Sequence, residues 1–271
     1  MEAIRKPAVA GMFYPVNENE LRNEVSLLLD IATNEKKYDN VFGIICPHAG
    51  YVYSGKTAAY AYNAIKRKNY KTVIVISPSH YEYFQGSAIY NGNAYQTPLG
   101  IVEIDKEMRN ELSKNTETIF IAENGHRKEH ALEVQLPFLQ TVLKKFKLVP
   151  IVIGDQRNMF INELALKLAE VVDENTLIVA SSDLSHFYNK ETADKFDSIV
   201  KDNILNFNYQ KLQDNLLKEN CFACGGGGIV ALMKAAEMKG CKKAEVLSRT
   251  DSGDVTGDNS SVVGYLSAVI H

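Results

Sequence analysis

The sequence predicts a single large α/β domain with a mostly parallel central sheet, helices on both faces of the sheet and a terminal pair of strands. Short apolar runs, typical of strands buried on both faces, alternate with helical stretches along most of the 271 residues. Three of these runs lead directly into a segment that contains a histidine. Because no boundary interrupts this alternation, we expect residues 1–271 to form one domain.

Composition excludes several classes of protein. The chain is 45% hydrophobic and 23% charged, which favours a folded protein with a sizeable core. A net charge of -3 gives no reason to expect nucleic-acid binding, and no apolar run is long enough to span a membrane. The four cysteines are too few for a disulfide framework, and the N-terminus lacks the apolar segment of a signal peptide. We therefore expect a cytoplasmic protein with neither nucleic-acid nor membrane partners.

The first elements are an arm and a helix. Residues 1–15 contain Pro7, Gly11 and Pro15, which favour an extended, turn-rich arm whose aromatic residues pack on the main body. Residues 17–32 place Leu21, Val25, Leu28 and Leu29 on one side, so they predict an amphipathic helix.

The first histidine strand covers residues 41–46. Pro47 ends it, because proline has no N–H to donate to a neighbouring strand. His48 therefore lies just beyond the carboxyl end of a buried strand, where open α/β sheets bind ligands. The simpler interpretation, a loop histidine that caps a turn, would be preferred for one such residue alone.

Two further buried strands repeat the design. Residues 72–76 lead to His80, and residues 177–182 lead to Asp183 and His186. If the three strands are parallel neighbours, their histidines converge on one edge of the sheet.

The remaining elements complete the layered pattern. Asp105 is the predicted N-cap of one helix, and Pro137 should bend another. In the first half of the chain we expect a helix over residues 57–66, a loop with a hairpin beside the site over 81–104, and helices over 105–114 and 129–146. In the second half we expect a strand over 148–153, a helix over 162–172, two polar helical stretches within 191–219 and a helix over 229–238. The chain should end with a pair of strands over 244–250 and 261–270, joined by the loop 251–260.

The strand-end histidines allow three kinds of chemistry. His48, His80 and His186 could bind a metal, act as acids or bases, or only form hydrogen bonds, and imidazole suits iron, copper, zinc and nickel. Two histidines with one carboxylate form the open site of non-haem Fe(II) oxygenases. Asp183 and Glu133 are the candidate carboxylates.

Cys224 is a candidate metal ligand or nucleophile. It precedes four glycines at a predicted helix N-terminus, where the helix dipole favours a thiolate. The alternative is a small buried residue. Cys221 and Cys224 also resemble half of a zinc knuckle or a redox pair, but no second Cys-x-x-Cys accompanies them. The glycine run lacks the lysine and serine of a phosphate-binding P-loop.

Several neighbouring residues could support the site. His130 and Glu133 lie three positions apart on one predicted helix, so either could orient a ligand histidine, or both could be solvated. Tyr51 and Tyr53 could line the pocket beside His48. His126 stands in a polar segment and is predicted to be an ordinary surface residue.

Separate motifs spread over nearly the whole chain resemble those of the Memo family, the mediator of ErbB2-driven cell motility group. Microbial members are called AmmeMemoRadiSam system protein B. The resemblance rests on residues 10–14 (AGMFY), 47–51 (PHAGY), 78–80 (PSH), 129–133 (EHALE), 181–186 (SSDLSH), 224–225 (CG) and 260–271.

The resemblance implies a fold related to class III extradiol dioxygenases of the LigB type, which bind Fe(II) through two histidines and a glutamate. Carried over, the metal ligands fall on His48, His80 and Cys224, and His186 and Asp183 match the remaining pocket residues. A cysteine in the place of the glutamate departs from the dioxygenase pattern. It argues against ring cleavage and favours softer or redox-active metals such as copper.

Two functions follow as alternatives. The first is an enzyme with redox-active iron or copper, able to lose its metal on purification, in which His186 is the acid or base and Asp183 orients it. The second is a non-enzymatic module that binds a peptide, a partner protein or a small molecule in a vestigial cleft. The family name also implies an accessory role beside a radical-SAM enzyme. Animal members carry an Arg-His pair after the cysteine where this chain has glycines, which argues against peptide recognition through that pair.

Overall fold

A nine-stranded mixed sheet is the centre of the computed structural model, which describes residues 3–33, 36–66 and 68–271. Its strand order is β10-β12-β2-β9-β3-β8-β4-β7, and β11 pairs with β12. The strands are β1 (Ile4–Arg5), β2 (Gly43–Cys46), β3 (Thr72–Pro78), β4 (Ser87–Tyr90), β5 (Ala94–Thr97), β6 (Gly100–Glu103), β7 (Ile119–Ala122), β8 (Lys147–Ile153), β9 (Thr176–Ser181), β10 (His186–Tyr188), β11 (Ala244–Asp251) and β12 (Val262–Ile270).

Helices cover both faces of this sheet. One face packs against the first, second and fourth helices, and the other packs against the third and the fifth to eighth. The helices are α1 (Glu18–Ile31), α2 (Tyr51–Ile65), α3 (Lys106–Leu112), α4 (Leu136–Val142), α5 (Asn158–Val171), α6 (Lys190–Leu205), α7 (Tyr209–Leu217), α8 (Gly226–Met238) and α9 (Gly253–Thr256).

The middle of the sheet is parallel, as the sequence predicts. Strands β2, β9, β3 and β8 run in one direction, and β12 and β4 run antiparallel on either side of them. Buried residues fill all four parallel strands except for the first residue of β8, which matches their continuous apolar runs. The predicted terminal strand pair, β11 and β12, is also present and extends the sheet beyond β2.

The segment over residues 81–104 differs from its prediction. Its hairpin, β5 and β6, joins β1 in a separate three-stranded sheet. Ile104 then bridges to Leu148 near the start of β8, so the hairpin lies towards the end of the sheet opposite the strand-end histidines. The first part of the segment forms β4, which extends the main sheet and pairs with β7, a strand that the sequence did not predict.

The long helix predicted over residues 129–146 is wrong. The structure has a 3-10 turn at Glu133–Gln135 followed by the short helix α4. Pro137 lies in the first turn of α4, where a backbone N–H has no helical partner to lose, so it starts a helix instead of bending one. His130 and Glu133 consequently do not share one face of a helix.

Other boundaries shift without changing the architecture. Helix α2 begins directly after Gly50, earlier than predicted, and α5 begins at Asn158. Asp105 caps α3 as predicted, because its side chain accepts a hydrogen bond from the Met108 N–H. No helix in the described part of the chain is both long and apolar enough to cross a membrane.

Candidate metal centre and adjoining cavity

The strand order brings the ends of β2, β9 and β3 side by side. Cys46 at the end of β2 is in register with Ser181 at the end of β9, and β3 pairs with the other side of β9. The residues that follow these strands include His48, Asp183 and His80, so they emerge at one edge of the sheet.

Cys224 reaches the same edge from the turn before α8. A Cβ atom on Gly225 would lie 2.1 Å from the Ser181 carbonyl oxygen, so only glycine allows the start of α8 to approach β9 this closely. The Gly225 N–H donates to the Ser182 hydroxyl at 2.9 Å, and the Cys224 N–H donates to the Asp183 carbonyl. The glycine run is therefore a packing requirement that holds the cysteine in place.

His48, His80 and Cys224 form a candidate metal-binding group. Each offers one ligand atom, and these atoms all lie within 4.8 Å of one another. The His48 Nε2 is 3.1 Å from the Cys224 Sγ, which also accepts the Asp183 N–H at 3.2 Å. The side chain of His48 is buried, whereas His80 is partly open to solvent.

Hydrogen bonds fix the tautomer of His48. The Ser181 hydroxyl donates to the Ala131 carbonyl and accepts from the Gln135 side-chain N–H. The hydroxyl proton of Ser181 is therefore already donated. The His48 Nδ1, 2.9 Å from the Ser181 Oγ, must be the donor in the bond between these two atoms. The Nε2 then carries the lone pair and faces Cys224. Burial lowers the pKa of His48 to about 3, which keeps this ring neutral.

Glu129 orients His80, a role that the sequence did not predict. Its carboxylate accepts both the backbone N–H of His80, at 2.7 Å, and the ring Nδ1–H, at 2.9 Å. Burial would lower the pKa of His80, but the hydrogen bond and charge of Glu129 raise it overall. Burial likewise opposes ionisation of Glu129, yet its bonds with His80 hold its pKa at about 2. This carboxylate–histidine pair leaves the His80 Nε2 free for a metal. Glu129 directly precedes His130 in a polar segment, and nothing in the sequence distinguished it from a solvated acid.

His130 lies against both ligand histidines. Its ring stacks on His80 with centroids 4.7 Å apart and meets His48 edge-on at 5.5 Å. Its Nδ1 is buried without a hydrogen-bond partner, 3.4 Å from Glu129 Oε1. Burial lowers the pKa of His130 to about 4, so the ring is neutral near neutral pH.

Asp183 and His186 adjoin the centre but do not interact as predicted. Asp183 Oδ1 accepts the His48 N–H at 2.7 Å, and burial raises the pKa of this carboxyl. The His186 Nδ1 donates to the Leu184 carbonyl at 2.9 Å, so a backbone carbonyl and not Asp183 holds that ring. As in His48 and His80, the bond at Nδ1 leaves Nε2 as an acceptor.

The structure places Glu133 and Tyr51 away from the ligands. The Glu133 carboxylate pairs with Arg5 and accepts from the N-terminal arm, so it does not orient a ligand histidine. The Tyr51 ring is buried and its hydroxyl donates to the Val134 carbonyl, whereas Tyr53 lies on the cavity wall.

The surface position predicted for His126 is wrong. Its side chain is fully buried, the Tyr95 hydroxyl lies 2.6 Å from Nδ1 and the Ala88 carbonyl 3.1 Å from Nε2. The carbonyl can only accept, so Nε2 carries the proton and Nδ1 accepts from Tyr95. The polar residues around it in the sequence hid this role, because the partners of the His126 ring, Tyr95 and Ala88, come from distant parts of the chain.

The predicted thiolate at Cys224 is not favoured in the metal-free site. Burial, followed by the charge of Asp183, raises the pKa of the Cys224 thiol well above its usual range. The start of α8 is too weak a field to outweigh these two effects. A metal ion would reverse this balance, because a coordinated thiol loses its proton.

A cavity of about 530 Å³ opens beside these residues. His130, Asp183 and His186 are among its polar lining residues, and the rest of the lining comes from the arm, the start of α2, β10, the segment before β12 and β12 itself. A small molecule in the cavity would therefore contact the histidine-rich edge directly.

The donor set fits a transition metal. Two imidazole nitrogens and one thiolate suit copper, iron or zinc, and the thiolate disfavours the hard ions magnesium and calcium. The hydrogen bonds at the Nδ1 atoms of His48 and His80 fix the ring orientations before any metal binds.

Comparison with known proteins gives one consistent family. Residues 5–269 match the model of the family described as Memo-like protein. A MEMO1 family protein of Nitrosopumilus maritimus is 40% identical over 97% of this chain and 98% of its own length. The MEMO1 family protein MJ0403 of Methanocaldococcus jannaschii is 36% identical over the whole of both chains. The crystal structure of an uncharacterised Escherichia coli K12 protein, JW3007, shares the fold with a TM-score of 0.54 and 14% identity, covering 84% of this chain and 99% of that one.

Proposed function

The chain belongs to the Memo-like protein family, and from this premise we propose that it holds a redox-active iron or copper ion through His48, His80 and Cys224. The observation that carries the proposal is the arrangement of the three donors. Their ligand atoms lie within 4.8 Å of one another, and each histidine is held at Nδ1 by a separate partner. Histidines in metal sites are oriented in this way.

Each residue of the site has a distinct task in this proposal. Ser181 and Glu129 hold His48 and His80, while the backbone N–H of Asp183 stabilises the thiolate of Cys224. A bound ion would supply electron transfer and polarisation of a coordinated oxygen or nitrogen atom.

Proton transfer falls to the cavity side of the site. His186 lines the cavity and is held at Nδ1 by the Leu184 carbonyl, so the neutral ring would use Nε2 to accept a proton from a bound molecule and return it. Asp183 lies between His48 and the cavity, and burial keeps its pKa above the usual value for a carboxyl, which suits a group that shares a proton.

A non-enzymatic binding module is the second candidate. The cavity favours it, since aromatic side chains from the arm, α2 and β10 line a space large enough for a small ligand or a peptide side chain. A partnership with radical-SAM system proteins stays a prediction from the family resemblance.

An anaerobic metal titration tests the proposal. We expect wild-type protein to bind one equivalent of Cu(I), Cu(II) or Fe(II), and the His48→Ala, His80→Ala double variant and the Cys224→Ser variant to bind at least tenfold more weakly. His271→Ala and Cys241→Ser are matched controls, because both residues lie at the other end of the sheet. Equal affinities in all of these proteins would reject the assigned ligands.

A further inference from the structure

The cavity beside the proposed metal centre combines aromatic rings with carboxylates. We propose that it binds an organic cation, the ammonium head of an alkylated or primary amine. None of the described residues that line the cavity is a lysine or an arginine. The proposal rests on the proposed function in one respect only, which is that the bound amine would lie next to the metal ion.

Four aromatic side chains from different parts of the chain line the cavity, namely those of Phe13, Tyr53, Phe187 and Tyr265. Phe13 is fixed, because its carbonyl accepts the Tyr51 N–H and its ring lies 4.8 Å from the His130 ring. Tyr265 is buried in β12, whereas the Tyr53 side chain is 42% exposed. The cavity is thus lined both by a buried aromatic residue and by aromatic residues that are open to solvent.

Phe187 is the least expected of these residues. Its φ angle is 64°, in the left-handed region that a bulky side chain adopts at a cost. The register of β10 against β12 shifts at this point, between His186 and Tyr188. The residue is nevertheless 76% exposed, so the strained backbone gains little apolar burial in return. A ligand that covers the ring would give this conformation a function.

The charged side chains of the cavity favour a cation. Apart from histidines, the charged lining residues are Asp183 and Asp258. Asp258 is exposed, and the hydrogen bonds from Ser260 hold its pKa below the usual value, so it is ionised near neutral pH. Lys190, three residues after Phe187, forms salt bridges with two other residues. Its Nζ lies 2.8 Å from Asp251 Oδ2 and 2.6 Å from Asp254 Oδ1.

A metal in the centre does not reverse this preference. The Cys224 thiolate would offset part of the charge of a bound ion, and the described residues of the cavity lining would still include Asp258 and no lysine or arginine. Aromatic faces attract ammonium groups through the ring quadrupole, and a phosphorylated ligand would meet carboxylates with no basic partner.

Choline and its neutral isostere 3,3-dimethylbutan-1-ol provide the test. Both are titrated into metal-free and metal-loaded protein, and binding is followed by the NMR shift of the ligand methyl protons. We expect choline to bind roughly tenfold more tightly than the alcohol, as one to two cation–π contacts predict. Its methyl resonance should move upfield because the groups lie over ring faces. Equal affinities, or no saturable choline shift, would overturn the proposal.

Variants of the lining residues test where choline binds. Phe187→Leu and Asp258→Asn should each weaken choline at least threefold and leave the alcohol unchanged, whereas Phe187→Tyr should keep the affinity. Tyr83→Leu and Asp202→Asn are controls, since both residues are exposed and line no part of this cavity. A choline affinity that is unchanged in both Phe187→Leu and Asp258→Asn would overturn the assignment of the binding site. Choline binding without any metal binding would reject only the proposed metalloprotein function.

Discussion

Hydrogen bonds at single atoms decide what the candidate centre can do. The Nδ1 atoms of His48, His80 and His186 each donate to a different partner, a hydroxyl, a carboxylate and a carbonyl. In its neutral form each ring therefore presents Nε2 as an acceptor. The position of these histidines follows from the sequence, because each comes just after a buried strand. Their partners do not follow, since Ser181, Glu129 and Leu184 are identified only by folded contacts.

The first prediction concerns Glu129. Replacing it with glutamine keeps the size of the side chain but removes the charge that orients His80 and raises its pKa. We expect metal affinity to fall roughly 10- to 100-fold, the usual cost of losing such a partner. Competition against a metal chelator measures this affinity, and Glu123→Gln, an exposed acid, is the matched control. Unchanged affinity in Glu129→Gln would show that the orienting bond is unimportant.

Proton release is the second prediction. The Cys224 thiol has a raised pKa and must lose its proton to bind a metal, so metal affinity should rise with pH by up to about tenfold per unit. His80, whose pKa is also raised, should add to the release at lower pH, whereas His48 with a pKa of about 3 contributes none. Calorimetry in buffers of different ionisation enthalpy counts the protons. Cys224→Ser should release about one proton fewer per bound ion, and an unchanged proton count in that variant would contradict the assignment.

At the level of elements, the N-terminal arm is part of the site although it is far from it in sequence. Glu133 accepts the N–H groups of Ala8 and Val9 and the Tyr14 hydroxyl, and it pairs with Arg5. The same Arg5 donates to the Glu129 carbonyl at 2.5 Å. The arm is therefore joined to the segment that carries Glu129 and His130.

Replacing Glu133 with glutamine should leave the Arg5 charge buried and unpaired. We expect a loss of about 3–5 kcal/mol in the free energy of unfolding, and faster proteolysis within the arm because its anchor is weakened. Urea denaturation and timed proteolysis measure the two effects. Glu123→Gln should stay within roughly 0.5 kcal/mol of the wild type. Wild-type stability in Glu133→Gln would show that the arm does not depend on this pair.

Helix α6 meets β12 through a buried carboxyl. Asp197 accepts the Ser185 N–H at 3.0 Å, and a Cβ on Gly264 would lie 1.9 Å from its Oδ2. Burial raises the pKa of Asp197 to about 6 from 3.8. A carboxyl with a raised folded-state pKa destabilises the protein once it ionises, so its cost is absent below about pH 4 and complete above about pH 6.

The variant Asp197→Asn removes this titration. Its stability relative to the wild type should increase by roughly 3 kcal/mol between pH 4 and pH 7, from a shift of about two pKa units. Urea denaturation of both proteins at several pH values measures the difference, and Asp202→Asn on the exposed side of the same helix is the control. A stability difference that is constant with pH would contradict the shifted pKa.

Element prediction succeeded where the local pattern determines the structure. The parallel strands β2, β3, β8 and β9 are continuous apolar runs, and the structure confirms them. The residues around Pro137 carry helical spacing, yet their helix starts only at Leu136, because proline and the contacts of Glu129 and Glu133 fix the preceding backbone. Strands β4 and β7 were missed because they are short and depend on each other and on β8 for pairing.

At the scale of the whole molecule, the fold explains how distant motifs meet. Strand β9 lies between β2 and β3, so residues from three parts of the chain share one edge, and α8 brings the fourth part to them. The sequence motifs alone suggested this edge, because strand ends are the usual ligand-binding positions of α/β sheets. The cavity wall formed by the arm and β10 required the folded structure.

X-ray absorption spectroscopy of metal-loaded protein tests the central claim most directly. With copper or iron bound, we predict one sulfur scatterer at about 2.3 Å and two imidazole nitrogens at about 2.0–2.1 Å, taking the distances of comparable sites. Cys224→Ser should lose the sulfur scatterer, and Cys241→Ser should keep it. A first shell of nitrogen and oxygen alone in the wild type, or a sulfur scatterer that persists in Cys224→Ser, would contradict the assignment of His48, His80 and Cys224 as the metal centre.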